Sequence, residues 1–174
     1  MRKILTQDFF NRDTSKIARE LLGKFLVRKY RGRKIASKIL ETEAYDGFHD
    51  LASHASRGKT HRNRPMFGPP GHWYVYFTYG MHFMLNVVTR ERGYPAAVLI
   101  RGVSDAAGPG RLTKFFKIDR RFNAKKVRKS SGLWIEDRGV RAKKGLVKTA
   151  SRVGISYAGP YWTKRQLRFF IPKS

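Results

Sequence analysis

The sequence contains no cysteine. Without thiol groups there is no disulfide framework, no Cys-based zinc site, no iron–sulfur cluster and no thiol nucleophile, which excludes several classes of enzyme. No stretch approaches the ~20 apolar residues of a membrane-spanning helix, and residues 1–5 lead into polar sequence without an apolar core. We therefore expect an intracellular protein without a membrane partner. It would lie in the cytoplasm or nucleoid of a prokaryote, or in the nucleus of a eukaryote.

Acidic residues are also scarce. The chain has 12 Asp and Glu against 38 Lys and Arg, a formal net charge of +26. No acid lies between Asp50 and Glu91, and none follows Asp137, so these stretches cannot neutralise themselves. A surface this positive repels itself unless a polyanion or counterions screen it. Nucleic acid is the predicted partner, and an ordinary solvated basic surface is the alternative.

The remaining composition is that of a folded protein. Hydrophobic residues make up 41% and aromatic residues 13% of the 174 positions, which is enough to build a core. There is no internal repeat and no low-complexity linker. We therefore predict that residues 1–174 form one mixed domain of helices and strands.

The first third of the chain predicts a helix followed by an antiparallel pair of strands. Residues 14–23 have helical spacing of apolar side chains, with Thr14 or Ser15 as the cap and Gly23 as the stop. Residues 24–30 alternate as a strand, residues 31–33 form a turn, and residues 34–45 return as the second strand.

The second strand places two carboxylates on one face. Because side chains alternate along a strand, Glu41, Glu43 and Tyr45 share a face with Ile35 and Ile39. The simpler interpretation is a solvated strand end paired with Lys or Arg. Tyr45 on the same face, and the polar loop that follows, favour a functional site.

That loop covers residues 46–72 and holds four of the five histidines. A loop of this length in a compact domain is usually functional or disordered, and the strands on both sides favour the first.

An aromatic hairpin comes next. Trp73, Val75 and Phe77 are predicted core residues, and Tyr79 is predicted to be exposed at a turn between strands 73–77 and 83–88. Asn86 is a polar amide in an otherwise apolar strand, so it either hydrogen-bonds locally or faces a site. Residues 95–100 form a further strand.

The rest of the chain predicts a helix over residues 109–118 and two late strands. Leu112, Phe115 and Phe116 would face inward, with Ser104 or Asp105 as the cap. Residues 120–131 are predicted to be a basic loop or a frayed helix. The late strands are residues 133–136 and 167–171, with turns at Gly154 and at residues 159–160.

Three classes of function fit these features. The first is an enzyme that acts on a nucleobase, and the second is a nucleic-acid-binding module without catalysis, for which a basic surface with aromatics suffices. The third is a metal-dependent nuclease, although its candidate ligands match no recognisable metal signature. Those candidates are Glu41, Glu43, Asp46, His49, Asp50 and His54.

The order and spacing of several motifs resemble the alkyladenine (3-methyladenine, alkylpurine) DNA glycosylase family. The likeness extends from residues 9–10 and 21–23 to residues 152–155 and 167–170, nearly the whole chain. The motifs are residues 41–45 (ETEAY), His54, residues 62–64 (RNR), residues 74–81 (YVYFTYGM), Asn86, residues 99–101 (LIR) and residues 108–109 (GP).

The resemblance implies a monofunctional glycosylase that flips damaged purines out of duplex DNA and hydrolyses the N-glycosidic bond. Glu43 would be the general base for water. Tyr45 and Tyr76 would stack on the flipped base, and His54 would close the pocket beside the nucleotide. Asn86 would exclude normal guanine by crowding its exocyclic amine, and Tyr79 would fill the gap in the helix. Arg101 is expected to hold a phosphate.

The resemblance also implies what the protein does without. Because the attacking group is water, neither a cofactor, a metal nor a lysine Schiff base is required. The partner would be double-stranded DNA with damaged purines, bound by a monomer. The predicted fold is α+β, a single mixed domain in which a curved antiparallel sheet carries flanking helices and a protruding β-hairpin.

One residue and two short stretches depart from the family pattern. His82 stands where an aromatic residue is expected, and residues 48–50 differ from the acidic loop of the better-known members. We expect both to bear on the lesion preference. The basic stretch at residues 125–129 exceeds what the motifs need.

Overall fold

One long strand organises the protein. The computed structural model describes residues 2–140, 142 and 145–172. Within them, β3 (Arg33–Asp46) is 14 residues long and has neighbours on both edges. The other strands are, in chain order, β1 (Lys3–Ile4), β2 (Phe25–Tyr30), β4 (Trp73–Thr78), β5 (His82–Val88), β6 (Ala96–Val103), β7 (Ala106–Ala107), β8 (Leu133–Asp137), β9 (Lys148–Ala150) and β10 (Arg168–Phe170).

All strand pairings are antiparallel. The main path of the sheet is β1-β8-β2-β3-β6-β5-β4, and β10 pairs with β3 and β9 while β7 pairs with β6. The α-helices are α1 (Gln7–Phe10), α2 (Thr14–Glu20), α3 (Pro109–Phe115) and α4 (Gly159–Lys164). Single 3₁₀ turns lie at His54–Arg57, Arg64–Phe67, Arg120–Phe122, Lys129–Ser131 and Ser156–Ala158. The predicted α+β class is confirmed, with helices flanking one open sheet and the β4–β5 hairpin projecting from it.

A bulge in β3 corrects the predicted face. The register of β3 against β6 shifts on both sides of Glu41, because Leu40 has no partner in β6 and Arg101 has none in β3. An unpaired residue interrupts the alternation of side chains along its strand. Ile39 and Ala44 therefore both lie in the main hydrophobic core, and the prediction that Ile39 shares the face of Glu43 is wrong.

The main core lies between the sheet and helices α2 and α3. Its largest fully buried side chains are aromatic, and none has more than 1% of its surface exposed. They are Phe10, Trp73, Phe116, Trp134 and Phe169. The longest α-helices of the described residues, α2 and α3, have seven residues each, far too few to cross a bilayer.

The N-cap of helix α2 is Asp13, one residue before the first predicted cap residue, Thr14. The Asp13 carboxylate accepts the Lys16 N–H at 2.8 Å, so the cap is neither Thr14 nor Ser15. Thr14 is instead buried and donates to Asp46 at 2.8 Å. The predicted stop is confirmed, because Gly23 has φ 86°, a conformation that glycine adopts without a steric penalty.

The two hairpin turns confirm the sequence prediction. Arg31 and Gly32, and Tyr79 and Gly80, all have positive φ, and Met81 N–H closes the second turn on Thr78 O at 3.2 Å. Paired positive φ values are typical of the tight turns whose twist matches that of antiparallel strands. Tyr79 therefore projects from the end of β4.

Other predictions near α3 and the hairpin are wrong. Phe77 is 41% exposed because it lies beyond the core, on the projecting part of the hairpin, where its ring packs on Phe83. Phe115 is 37% exposed, since the helix turns Leu112 and Phe116 inward instead. The residue before α3 is Gly108, without a side-chain cap from Ser104 or Asp105. Helix α4 replaces the turn expected at residues 159–160.

Candidate active site

A cavity of about 340 Å³ opens between the end of β3, the β4–β5 hairpin and residues 153–157. Strands β3, β6 and β5 lie side by side, and Glu43 and Asn86 both pair with Leu99 in register. The pairing brings motifs far apart in the chain to one place. All the sequence-predicted site residues line the cavity: Glu43, Tyr45, His54, Tyr76, Tyr79, Asn86 and Arg101.

Glu43 forms the floor of this cavity. Its side chain has 0% of its surface exposed. One carboxylate oxygen, Oε2, accepts the Tyr45 hydroxyl at 2.8 Å, and the other, Oε1, accepts the Val153 backbone N–H at 2.8 Å. Arg101 Nε lies 3.5 Å from Oε1. The carboxylate is thus fixed in orientation at the edge of an open space.

The surroundings of Glu43 change its acidity. Burial raises the pKa of the Glu43 carboxyl above its ordinary value, because the charged form loses hydration. The positive charge of Arg101 and the hydrogen bonds from Val153 and Tyr45 oppose this rise without cancelling it. A carboxylate with a raised pKa is a stronger base than an exposed one, which suits the activation of a water molecule.

Glu41 has a different environment from Glu43. It is 23% exposed and lies against two guanidinium groups, with Arg101 Nε at 3.1 Å and Arg168 Nη1 at 3.3 Å from Oε1. Arg101 therefore contacts both carboxylates, which confirms that they lie together. Glu41 is paired with two cations and does not line the cavity, whereas Glu43 does.

Tyr45 is held by a buried ion pair that the sequence did not predict. Arg152 Nη2 lies 2.8 Å from Asp50 Oδ1, and Nη1 donates to the Ala44 carbonyl at 2.8 Å. Both charged side chains are at most 1% exposed. The Arg152 guanidinium also lies over the Tyr45 ring, 4.6 Å from its centre. The next residue, Val153, supplies the N–H that binds Glu43.

The opposite wall of the cavity is a cluster of aromatic rings. His54 Nδ1 lies 3.0 Å from the Tyr74 hydroxyl, and its ring packs edge-on against Tyr76 at 4.7 Å between centres. Arg62 lies over Tyr76 at 5.1 Å and donates to the Phe77 carbonyl at 2.9 Å. The contacts among the rings desolvate His54, and this desolvation, with the nearby charge of Arg62, lowers the pKa of its imidazole. A neutral imidazole is favoured there.

Asn86 both bonds locally and faces the cavity. Its Nδ2 donates to the Tyr74 carbonyl at 3.1 Å, which fixes the amide, and the residue is only 4% exposed. The two possibilities left open by the sequence are therefore both realised. A fixed amide at this point restricts the shape of the group that can lie against it.

The mouth of the cavity is lined by exposed apolar side chains. Tyr79 is 77% exposed at the hairpin tip, and Val153 (48%) and Tyr157 (63%) face it. The Tyr79 hydroxyl comes within 3.9 Å of the place where a Cβ at Gly154 would stand. The predicted exposure of Tyr79 is confirmed, and a planar group that enters the cavity must pass beside it.

The acidic and histidine candidates for a metal site do not converge. Within residues 2–140, 142 and 145–172, no three such side chains form a group that could hold a metal ion. Asp50 is engaged by Arg152 and Glu43 by Tyr45 and Val153. This arrangement does not favour the nuclease hypothesis.

Comparison with known families decides the relationship. The model of the methylpurine-DNA glycosylase family matches residues 8–106 and 103–174. The chain belongs to the methylpurine-DNA glycosylase family. The resemblance predicted from the motifs of residues 41–109 is therefore confirmed.

Individual relatives agree with this assignment. A protein of Methanocella arvoryzae is 44% identical over 90% of this chain and 86% of its own length. One of Anaeromyxobacter dehalogenans is 44% identical over 96% and 83%, and one of Legionella pneumophila (strain Paris) is 40% identical over 98% and 95%. Each is named "Putative 3-methyladenine DNA glycosylase".

The structure shows the contacts of two departures from the expected glycosylase pattern, His82 and the loop of residues 48–50. The ring of His82 packs on Gly110, where an added Cβ would stand 2.7 Å from the His82 ring. Asp50 closes the loop of residues 48–50 by its ion pair with Arg152. Neither position faces the floor of the cavity beside Glu43.

Proposed function

We propose that this methylpurine-DNA glycosylase family member is a monofunctional enzyme that removes damaged purines from duplex DNA. Its substrates would be alkylated or deaminated purines, and its reaction would begin base excision repair. The single observation that carries the proposal is a fully buried carboxylate, Glu43, that is oriented by two hydrogen bonds at the floor of an aromatic cavity.

The proposed reaction begins with extrusion of the damaged nucleotide. Tyr79 enters the duplex at the hairpin tip and occupies the gap that the nucleotide leaves. The base then lies between Tyr45 and the wall formed by Tyr76 and His54. Asn86 meets the edge of the base, and its rigid amide crowds the exocyclic amine of a normal guanine. Arg101 contacts a phosphate of the flipped nucleotide.

Hydrolysis follows on the floor of the cavity. Glu43 accepts a proton from a water molecule as the water oxygen bonds to C1′ of the sugar. The bond between C1′ and the purine nitrogen breaks, and its electron pair leaves with the base. The negative charge of Glu43 also stabilises the positive charge that develops on the sugar. The products are a free purine and an abasic site with both strands intact.

An assay with a chelator separates this proposal from its rivals. Alkylated duplex DNA is incubated with the protein and excess chelator, and free purines and strand breaks are measured. Purine release without strand breaks supports the glycosylase. Strand scission that returns with magnesium would identify a nuclease, and binding without either product would identify a non-catalytic binding protein.

A further inference from the structure

A strongly basic surface lies outside the cavity and has no part in the proposed reaction. Residues 106–135 contain nine Lys and Arg but a single acid, Asp119. All nine cations are exposed. We call them the basic track: Arg111, Lys114, Lys117, Arg120, Arg121, Lys125, Lys126, Arg128 and Lys129.

The track starts at the cavity mouth. Pro109, the first residue of α3, lines the cavity, and the next residue, Gly110, packs on His82 in the hairpin. The Thr113 hydroxyl donates to the Phe83 carbonyl at 2.9 Å, which fixes α3 on β5. Helix α3 therefore places Arg111 and Lys114 beside the hairpin, close to the cavity.

From α3 the track runs along the outer edge of β4, away from Tyr79. Asn123 Oδ1 accepts the N–H of Val75 at 3.0 Å, and the Lys125 carbonyl accepts that of Trp73 at 2.8 Å. Two residues later, Val127 N–H donates to Gly71 O at 2.8 Å. The contacts fix the direction of the track, because they proceed from the middle of β4 towards its base.

The backbone under these cations is anchored. Phe122 is 5% exposed, and the guanidinium of Arg28 lies over its ring at 4.6 Å. Asp119 is already engaged by Arg121, with Nη2 2.8 Å from Oδ2, so it offsets one cation of the nine. Burial and the charge of Arg121 lower the pKa of the Arg28 guanidinium. An anchored row of uncompensated cations fits a polyanion whose charges also form a row.

We infer that the basic track binds the phosphate backbone of the duplex that flanks the lesion on one side only. The contacts of the track cover residues 71–75, which span about 16 Å, and this length corresponds to about five base pairs. The inference rests on the proposed function for the position of the lesion at the cavity. It predicts a one-sided footprint, since the track leaves the cavity in one direction.

Flank length tests this asymmetry directly. Duplexes carry an uncleaved abasic-site analogue with roughly twelve base pairs on each side, or with roughly three on one side or the other. Affinity is measured across a series of salt concentrations. Shortening one flank should lower both the affinity and the slope of log K against log salt. Shortening the other flank should change neither beyond a small end effect.

A fourfold variant and a charge-matched control identify the surface responsible. Lys125→Gln, Lys126→Gln, Arg128→Gln and Lys129→Gln together remove four charges of the track. Lys3→Gln, Lys16→Gln, Arg92→Gln and Lys148→Gln remove four exposed charges elsewhere. On the long duplex, the track variant should lose about 0.9 in slope for each phosphate contact removed, and roughly 10-fold or more in affinity. On the duplex that lacks the sensitive flank, the track variant and the wild type should bind alike.

Several results would overturn the inference. These are equal losses from shortening either flank, an equal loss of slope in the control variant, or a track variant that loses as much on the short duplex as on the long one. Purine release by the wild type is measured in parallel. If only one shortened flank lowers the salt slope but no purine is released, the proposed function is refuted and the inference about the track stands. If purine is released but both shortened flanks have equal effects, only the inference about the track is refuted.

Discussion

The floor of the cavity and the tip of the β4–β5 hairpin are held in opposite ways. Glu43 is fully buried, and each of its carboxylate oxygens accepts one hydrogen bond. The donors are the Tyr45 hydroxyl on the same strand and the distant Val153 N–H. Tyr79 is 77% exposed, and the backbone turn sets its position. In the proposed reaction the chemistry would therefore lie in the folded core, whereas the exposed hairpin tip would meet the DNA. Substitutions in the two regions should therefore affect different measurements.

The largest effect is expected from Glu43→Gln. The amide keeps the size of the side chain but cannot take a proton from water, so purine release should fall by about 100-fold or more. Binding to a duplex with an abasic-site analogue should be retained, which is measured by fluorescence anisotropy. Purine release at the wild-type rate would remove Glu43 from the chemistry.

The second effect concerns the support of the cavity wall. Asp50→Asn leaves the buried guanidinium of Arg152 without its counter-charge, and the free energy of unfolding should fall by about 3–5 kcal/mol in urea titrations. Tyr45 and the Val153 N–H would lose their common anchor, so purine release should slow as well.

Asp46→Asn serves as the matched control for that substitution. Asp46 is 31% exposed, its ion pair with Arg90 is 3.7 Å long, and an amide still accepts the Thr14 hydroxyl. Its loss should stay within about 1 kcal/mol. Similar losses for the two variants would show that the buried pair has no special part in the wall.

Tyr79→Ser tests the hairpin tip. If the ring fills the gap in the duplex, binding to lesion-containing duplex should weaken by about 1–3 kcal/mol, the value of one lost stacking contact. Binding to single strands should change much less, and the unfolding midpoint should stay the same because the ring is exposed. Tyr161→Ser, at a residue that is 63% exposed on α4, is the control. Equal losses on duplex and single strand would argue against a wedge.

The smallest effect is a gain in stability from Glu43→Gln. The raised pKa means that the folded protein binds a proton at Glu43 more tightly than the unfolded chain does. Stability therefore falls as the pH rises from the ordinary carboxyl value through the raised one, and Gln avoids this loss. At pH 7 the variant should therefore be more stable than the wild type.

Unfolding curves at several pH values check the sign. The gap between variant and wild type should close as the pH falls below the ordinary value for Glu, where both side chains are neutral. A wild type that is more stable at pH 7, or a gap that persists in acid, would contradict the raised pKa.

The sequence predicted those parts of the site whose residues lie close together along the chain. The motif around Glu43 and Tyr45, the turn at Tyr79 and the polar Asn86 all lie within short stretches that have a recognisable pattern. The cavity gathers each of them. The α+β class was also predictable, because antiparallel strands joined by tight turns carry their signal in neighbouring residues.

The parts that were missed depend on contacts between distant residues. Arg152 and Asp50 are 102 positions apart, and the Val153 N–H meets Glu43 across 110 positions. A backbone donor has no signature in the sequence, since every residue except proline carries one. The alternation of side chains shows on which face of the hairpin Phe77 lies. It does not show how far the rest of the protein covers that face, and Phe77 is exposed.

The side chains of β3 alternate in one phase before the irregular pairing at residues 40–41 and in the opposite phase after it. Before it, the odd-numbered Ile39 faces the core; after it, the even-numbered Ala44 does. The change of phase is shared by the neighbouring strand, since Leu40 is skipped in β3 and Arg101 in β6, and it lets Glu43 face the cavity although Ile39 faces the core. Deleting Leu40 alone should therefore leave Arg101 without its counterpart and put β6 out of register with one part of β3.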